Sequence, residues 1–194
     1  GHTAGVVHCP NITDRVRGVD AAARLGRGQP GNMLGDRRHA AERHDITFGP
    51  DPATHTHCTL GGMAGNDSCG VHSVMAQFAG QGARTADTIE ELEILTYDGL
   101  RMRVGATSDR QFDAIVAEGG RRAEIYLALR ALRDRYADAI RSSFPKIPRR
   151  VPGYNLPYLP PEHGLNVARA LVRTGGPFVR PPGVVRDRSP EPKS

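Results

Sequence analysis

The 194-residue chain has no tryptophan, and aromatic residues make up only 5% of it. A base-stacking surface needs rings in series, so a single-stranded nucleic-acid platform is excluded. The formal charge is +5, yet arginines alternate with acids from Arg121 to Arg141, and the densest bare cluster is Lys146, Arg149 and Arg150. A diffuse positive field of this kind suits a small anionic ligand better than a nucleic acid. Cysteine is scarce as well. Cys9, Cys58 and Cys69 form no CxxC pair, which argues against a disulfide framework and a zinc knuckle and fits reduced thiols in the cytoplasm. His55 and His57 stand near Cys58 without a second matching pair, so no metal is expected. No apolar run approaches the roughly 18 residues of a membrane span, and the first residues lack the charged-then-apolar order of a secretion signal. A soluble cytoplasmic protein is expected.

Glycine and proline are plentiful, at 23 and 15 residues. Much of the chain should therefore be loop, around a lean core of Leu, Val, Ile and Ala. Residues Arg15 to Val19 and Arg24 to Gln29 read as a hairpin turning at Asp20 and Ala21. Asn32 is placed to cap a helix from Met33 to His44. In "ELEILTYDGLRMRVG", Leu92 and Ile94 alternate with acids, Asp98-Gly99 supplies a tight turn, and Leu100, Met102 and Val104 return. From Asp109 the period becomes helical. Phe112, Ile115 and Val116 mark a short helix, and Ile125, Leu129, Leu132, Tyr136 and Ile140 line a longer one from Arg121 to Ser142. Proline breaks the chain after Phe144, Leu165 to Val172 reads as a last helix, and the stretch 177–194 carries no period and is expected to be without order.

"CTLGGMAGNDSCG", Cys58 to Gly70, has neither a strand nor a helix period. Residues without side chains reach unusual dihedrals and let amide N–H groups approach a ligand closely. Consecutive amides then form a concave anion site, strengthened where a helix begins. Gly61, Gly62, Gly65 and Gly70 could form such a site. A tight turn accounts for them equally well.

Three stretches in order shift that balance: "TFGPDPATHTHCTLGGMAGNDSCGVHS", "TADTIEELEILTYDGLRMRVG" and "GYNLPYLPPEHGLNVARALVRTGG". Together they resemble the FAD-linked oxidase family, whose FAD-binding domain is of the vanillyl-alcohol-oxidase type, and within it the D-lactate or glycolate dehydrogenase branch, often fused to iron–sulfur domains. The resemblance implies an α+β fold with FAD between two lobes. It places Pro50 and Asp51 near the cofactor, Thr59, Leu60, Gly61, Gly62 and Met63 along its pyrophosphate, Cys69 and Gly70 in the continuing loop, and Ile89 with its backbone toward the adenine or ring edge. It implies hydride transfer from a D-2-hydroxy acid to the flavin and onward transfer to an iron–sulfur or quinone acceptor. No catalytic residue is identified among these motifs.

The sequence departs from the family pattern in four places. A phosphate loop of the type GGGTSLAGQ is expected just before Thr3, where only Gly1 and His2 stand. Asp67 occupies an Asn position and would repel a phosphate it faced. "RTGGP", Arg173 to Pro177, replaces a "GTEGT" turn. The substrate-capping domain would follow the tail. The expectation is a partial FAD-binding domain over residues 1–176, with the second lobe largely present, the first lobe and cap missing, and the chain incomplete as an enzyme. The alternative is a remnant or interaction module that keeps the scaffold and binds no flavin.

Overall fold

The structure is a computed structural model, and it describes residues 16–46, 48–50, 52–70, 73, 84–145, 153–173 and 183–186. Its centre is a six-stranded sheet in the order β1-β2-β6-β3-β4-β5. These strands are β1 (Val16–Asp20), β2 (Leu25–Gly28), β3 (Ile89–Leu95), β4 (Arg101–Thr107), β5 (Leu165–Asn166) and β6 (Gly183–Arg186). Every neighbouring pair is antiparallel. The two hairpins legible in the sequence form β1–β2 and β3–β4, and Leu92 opposite Val104 and Ile94 opposite Met102 bury one side of the second. The fold is α+β, as expected.

β6 corrects one expectation. Residues Gly183–Arg186 lie in the stretch expected to have no order, yet they pair with β2 on one side and β3 on the other. The reason is non-local. Val184-Val185 is too short to announce a strand, but both neighbouring strands offer it backbone partners, and an inserted strand satisfies donors and acceptors on two sides at once. The rest of 177–194 lies outside the described residues.

Six α-helices accompany the sheet among the described residues: α1 (Leu34–Glu42), α2 (Leu60–Asn66), α3 (Thr85–Thr88), α4 (Asp109–Glu118), α5 (Gly120–Ser143) and α6 (Val167–Leu171). Helix α6 packs on β3 and β4. Helices α4 and α5 pack on each other, with Phe112 and Tyr126 edge to face at 6.3 Å between ring centres. The N-terminus of α4 carries a complete capping box: Ser108 Oγ accepts the Gln111 N–H, and Gln111 Oε1 accepts the Ser108 N–H. Ser108→Ala removes one half of it and should lower stability by about 1 kcal/mol, read as a lower urea midpoint with unchanged slope.

Three local expectations are adjusted. Met33, not Asn32, is the N-cap of α1, and it makes no side-chain cap. The last helix is preceded by the two-residue strand β5, because Leu165 and Asn166 pair with Thr107 and Ala106. On α5 the buried positions are Ala123, Tyr126 and Ile140, while Leu132 and Tyr136 are 37% and 45% exposed. Of the expected line, Ile140 is buried and Ile125 and Leu129 pack against the core, whereas Leu132 and Tyr136 do not, and Ala123 and Tyr126 join the inward face where Tyr126 meets Phe112 of α4.

Candidate functional site

The glycine stretch is not a bare loop. Leu60–Asn66 form α2, with Thr59 as N-cap and its Oγ1 accepting the Gly62 N–H at 3.2 Å. Four small residues in a seven-residue helix disguise the period, but the buried face of Leu60, Met63 and Ala64 is helical in spacing. The opposite side carries Gly62 and Asn66, both exposed.

The starts of α1 and α2 are stitched together. Met33 and Thr59 form an antiparallel bridge. The Leu34 and Gly35 N–H groups donate to Cys58 O and His55 O at 3.1 and 2.9 Å, and those of Leu60 and Gly61 donate to Asn32 O and Pro30 O at 3.0 and 2.8 Å. Each helix thus takes carbonyls from the segment leading into the other, and orphan amides that a helix N-terminus normally offers are satisfied internally. This bears directly on the pyrophosphate role expected of the loop. While these bonds stand, the Leu60 and Gly61 amides are committed to protein carbonyls. The Met63 N–H donates to Thr59 O at 2.9 Å. Gly61 is small for a packing reason: a Cβ there would lie 2.9 Å from Pro30 Cβ and 3.1 Å from Pro30 O. Gly62 differs. A Cβ there would meet only Thr59 Oγ1, at 3.2 Å, and no other heavy atom within 4 Å.

Of the remaining expected residues, Pro50 and Gly70 meet through Ser73, and Cys69 meets the residue before α3. Ser73 Oγ accepts the Gly70 N–H at 2.7 Å and reaches Pro50 O at 3.3 Å, so one hydroxyl ties Pro50 to Gly70. Asp51 lies outside the described residues. Cys69 bridges to Arg84 as an isolated antiparallel pair, and Ser68 O accepts both the Thr85 N–H and its hydroxyl, at 3.0 and 2.8 Å. Residues 68–70 are therefore clamped against the start of α3. Ile89 opens β3, with its side chain 1% exposed in the core. Its backbone is engaged on both sides: the N–H donates to Thr85 O, and the carbonyl accepts Arg169 Nε at 3.2 Å.

Asp67 is turned away from the exposed face. It ends α2 in the left-handed region at φ 51°, where its side chain is 1% exposed. Oδ1 accepts the Ala86 N–H at 2.9 Å, and Oδ2 stands 3.8 Å from Arg84 Nη1. The repulsion of a phosphate expected of this carboxylate does not arise in this geometry. Burial pushes its carboxyl above the usual range, only partly offset by the Ala86 N–H and the Arg84 charge.

Arg84, Asp87 and Tyr158 form a cluster that the motifs did not single out. Asp87 takes Arg84 Nε and Nη2 at 3.2 and 3.0 Å, and the Tyr158 hydroxyl donates to Asp87 Oδ1 at 2.8 Å. Burial opposes the Asp87 charge, but the Arg84 hydrogen bond and charge outweigh it and hold the carboxyl below its usual range. Burial and the neighbouring Asp87 push the Tyr158 hydroxyl up to about 12. The Arg84-Asp87 pair, three apart at a helix start, carries no Ser or Thr cap that would have marked it in sequence. Tyr158, 71 residues further on, left no local signal.

A model of the FAD binding domain matches residues 3–105. The chain belongs to this family, and FAD is the family's cofactor. D-2-hydroxyglutarate dehydrogenase of Pseudomonas putida is 28% identical over 157 residues, which cover 81% of this chain and 15% of that protein. Among solved structures, alkyldihydroxyacetonephosphate synthase is similar at 23% identity, with a TM-score of 0.40 over 51% of this chain and 17% of that one. The 6-hydroxy-D-nicotine oxidase of Arthrobacter nicotinovorans is similar at 17% identity, with a TM-score of 0.40 over 51% of this chain and 20% of its own. Among the described residues, no helix is long and apolar enough to cross a membrane.

The bare backbone on one side of α2 is compatible with close approach of a flavin dinucleotide. Gly62 leaves open a volume that a Cβ would enter, and the adjoining Ser68–Gly70 backbone is held rigidly by Thr85 and Ser73. Flat aromatic and phosphoryl groups need such close approach to main chain.

Proposed function

We infer that this chain is the FAD-holding part of a flavin-dependent dehydrogenase acting on a D-2-hydroxy acid. The observation that carries the reading is the family match over residues 3–105, joined to the side-chain-free face at Gly62. The P. putida relative, which bears a 2-hydroxy acid in its name, supports the substrate class; D-lactate or glycolate is the finer proposal. When bound, FAD supplies the redox chemistry, and the protein supplies position and electrostatics. Here Gly62 and the Ser68–Gly70 segment give contact surface, Ser73 fixes Pro50 against Gly70, and the Leu60 and Gly61 amides fix α2 to the segment before α1. An iron–sulfur or quinone centre is the proposed acceptor.

Flavin fluorescence quenching on titration with FAD tests the reading. Saturable quenching is expected. Gly62→Val should weaken it tenfold or more while costing at most about 1 kcal/mol of stability, the worth of the disturbed Thr59 cap. Undiminished binding by the variant would move the cofactor away from this face. A second reading, a scaffold that binds no flavin, is favoured by one observation: the Leu60 and Gly61 amides are already bonded to Asn32 and Pro30. Absence of quenching at any FAD concentration would establish it.

A further inference from the structure

We propose that α5 carries a self-complementary face through which two copies of this chain pair as antiparallel helices, an interaction surface that goes beyond cofactor binding. The inward side of α5 belongs to the core: Ala123, Tyr126 and Ile140 are buried in it, and Ile125 and Leu129 pack against it. On the outward side Arg121, Glu124, Ala128, Ala131, Arg135 and Asp138 are all exposed. Their spacing alternates three and four residues, which keeps them on one seam of a helix. Leu127 and Leu132 flank the two alanines and are 47% and 37% exposed, so two large apolar side chains stand in water in the single chain.

The seam matches its own reverse. A two-fold axis crossing α5 between Leu129 and Arg130 sets Arg121 opposite Asp138, Glu124 opposite Arg135 and Ala128 opposite Ala131 of the second copy, and each contact occurs twice. Every charged layer is then a pair of opposite sign. The central alanines let the helix axes approach, and the leucines of the two copies meet along the flanks, Leu127 with Leu127 and Leu132 with Leu132. A parallel pairing in register would instead set arginine on arginine and acid on acid, so charge alone selects the antiparallel arrangement. Within the single chain, Arg121 holds Asp98 and Glu124 at 2.7 and 2.9 Å, and Arg141 holds Asp138 at 3.0 Å, with both helix carboxylates still exposed. Arg135 forms no ion pair among the described residues; its guanidinium lies over the Tyr136 ring at 5.2 Å. The Glu124–Arg135 layer is therefore the sharpest one to test. At 1.5 Å per residue the seam is about 26 Å long. One helix pair of that length stays below the roughly 1,600 Å² of a standard interface, and a dissociation constant on the order of 100 μM is expected.

Sedimentation equilibrium of the full chain without FAD, from about 10 μM to about 1 mM, reads the pairing. A monomer–dimer equilibrium is expected. Glu124→Arg and Arg135→Glu should each weaken it at least about tenfold, because each creates two like-charged layers. The double variant should return to within about threefold of the parent. A one-to-one mixture of the two single variants should form a heterodimer, since both opposite-sign layers re-form between unlike chains. Should a single reversal not fold, Leu127→Glu takes its place and should weaken the dimer by a similar factor. A monomer at every concentration, a dimer that neither reversal weakens, or a loss that the double variant does not recover would each overturn the proposal. The measurement involves no flavin, so a failed pairing leaves the FAD reading standing, and absent flavin binding leaves the pairing standing.

Discussion

Arg84→Met is expected to destabilise the folded chain by about 3–5 kcal/mol, because it strands two buried carboxylates. The guanidinium is 11% exposed, its partner Asp87 21%, and Asp67 1%. Methionine fills much of the volume but leaves Asp87 with the Tyr158 hydroxyl and the residue-84 main-chain N–H, and Asp67 with the Ala86 N–H. The pH dependence gives the mechanism away. Asp87 is held below its usual range in the fold, so the stability it contributes is present above the unfolded value near about pH 4 and is lost as pH falls through the folded value. The difference between variant and parent should be full at neutral pH and shrink toward about pH 3 as the carboxylates protonate. Urea midpoints at both pH values measure it; a cost that does not change with pH would mean that packing, rather than charge, is what Arg84 provides.

Gly61→Val should cost about 2–4 kcal/mol, far more than the same change one residue on. At position 61 a Cβ runs into Pro30 Cβ at 2.9 Å and Pro30 O at 3.1 Å, and the carbonyl it would push away is the acceptor of the Gly61 N–H at 2.8 Å. Overpacking and a strained hydrogen bond therefore arrive together. At position 62 only the Thr59 hydroxyl stands in the way. Adjacent glycines thus separate two roles: Gly61 lets α2 approach the segment before α1, and Gly62 keeps the exposed face bare. Comparable urea midpoints for the two valine variants would refute that separation.

This division was not legible in the sequence, where the two glycines are equivalent members of one run. The motif order led to the correct family and cofactor; of the expected residues, Pro50 and Gly70 meet through Ser73, and Asp67 and Ile89 bond to α3. Their individual parts differ. Asp67 and Ile89 point their polar groups into the protein, toward Ala86 and Arg84 in one case and Thr85 and Arg169 in the other. A motif records which residues stand near a ligand, but the direction of an amide or carboxylate depends on acceptors and donors far away in the chain.

The sequence by itself determined the elements whose causes are local. The β3–β4 hairpin follows from alternation and an Asp98-Gly99 turn, α4 from Ser108 and Gln111 as reciprocal caps, and α5 from its length of helical period. Tertiary structure decided what depends on partners distant along the chain. It made Gly183–Arg186 a central strand because β2 and β3 both had open backbone edges, and it used the α2 amides on Pro30 and Asn32. It also gathered Arg84, Asp87 and Tyr158 into one partly buried cluster. Buried polar groups must find partners wherever the fold brings them, and no window of neighbouring residues contains that information.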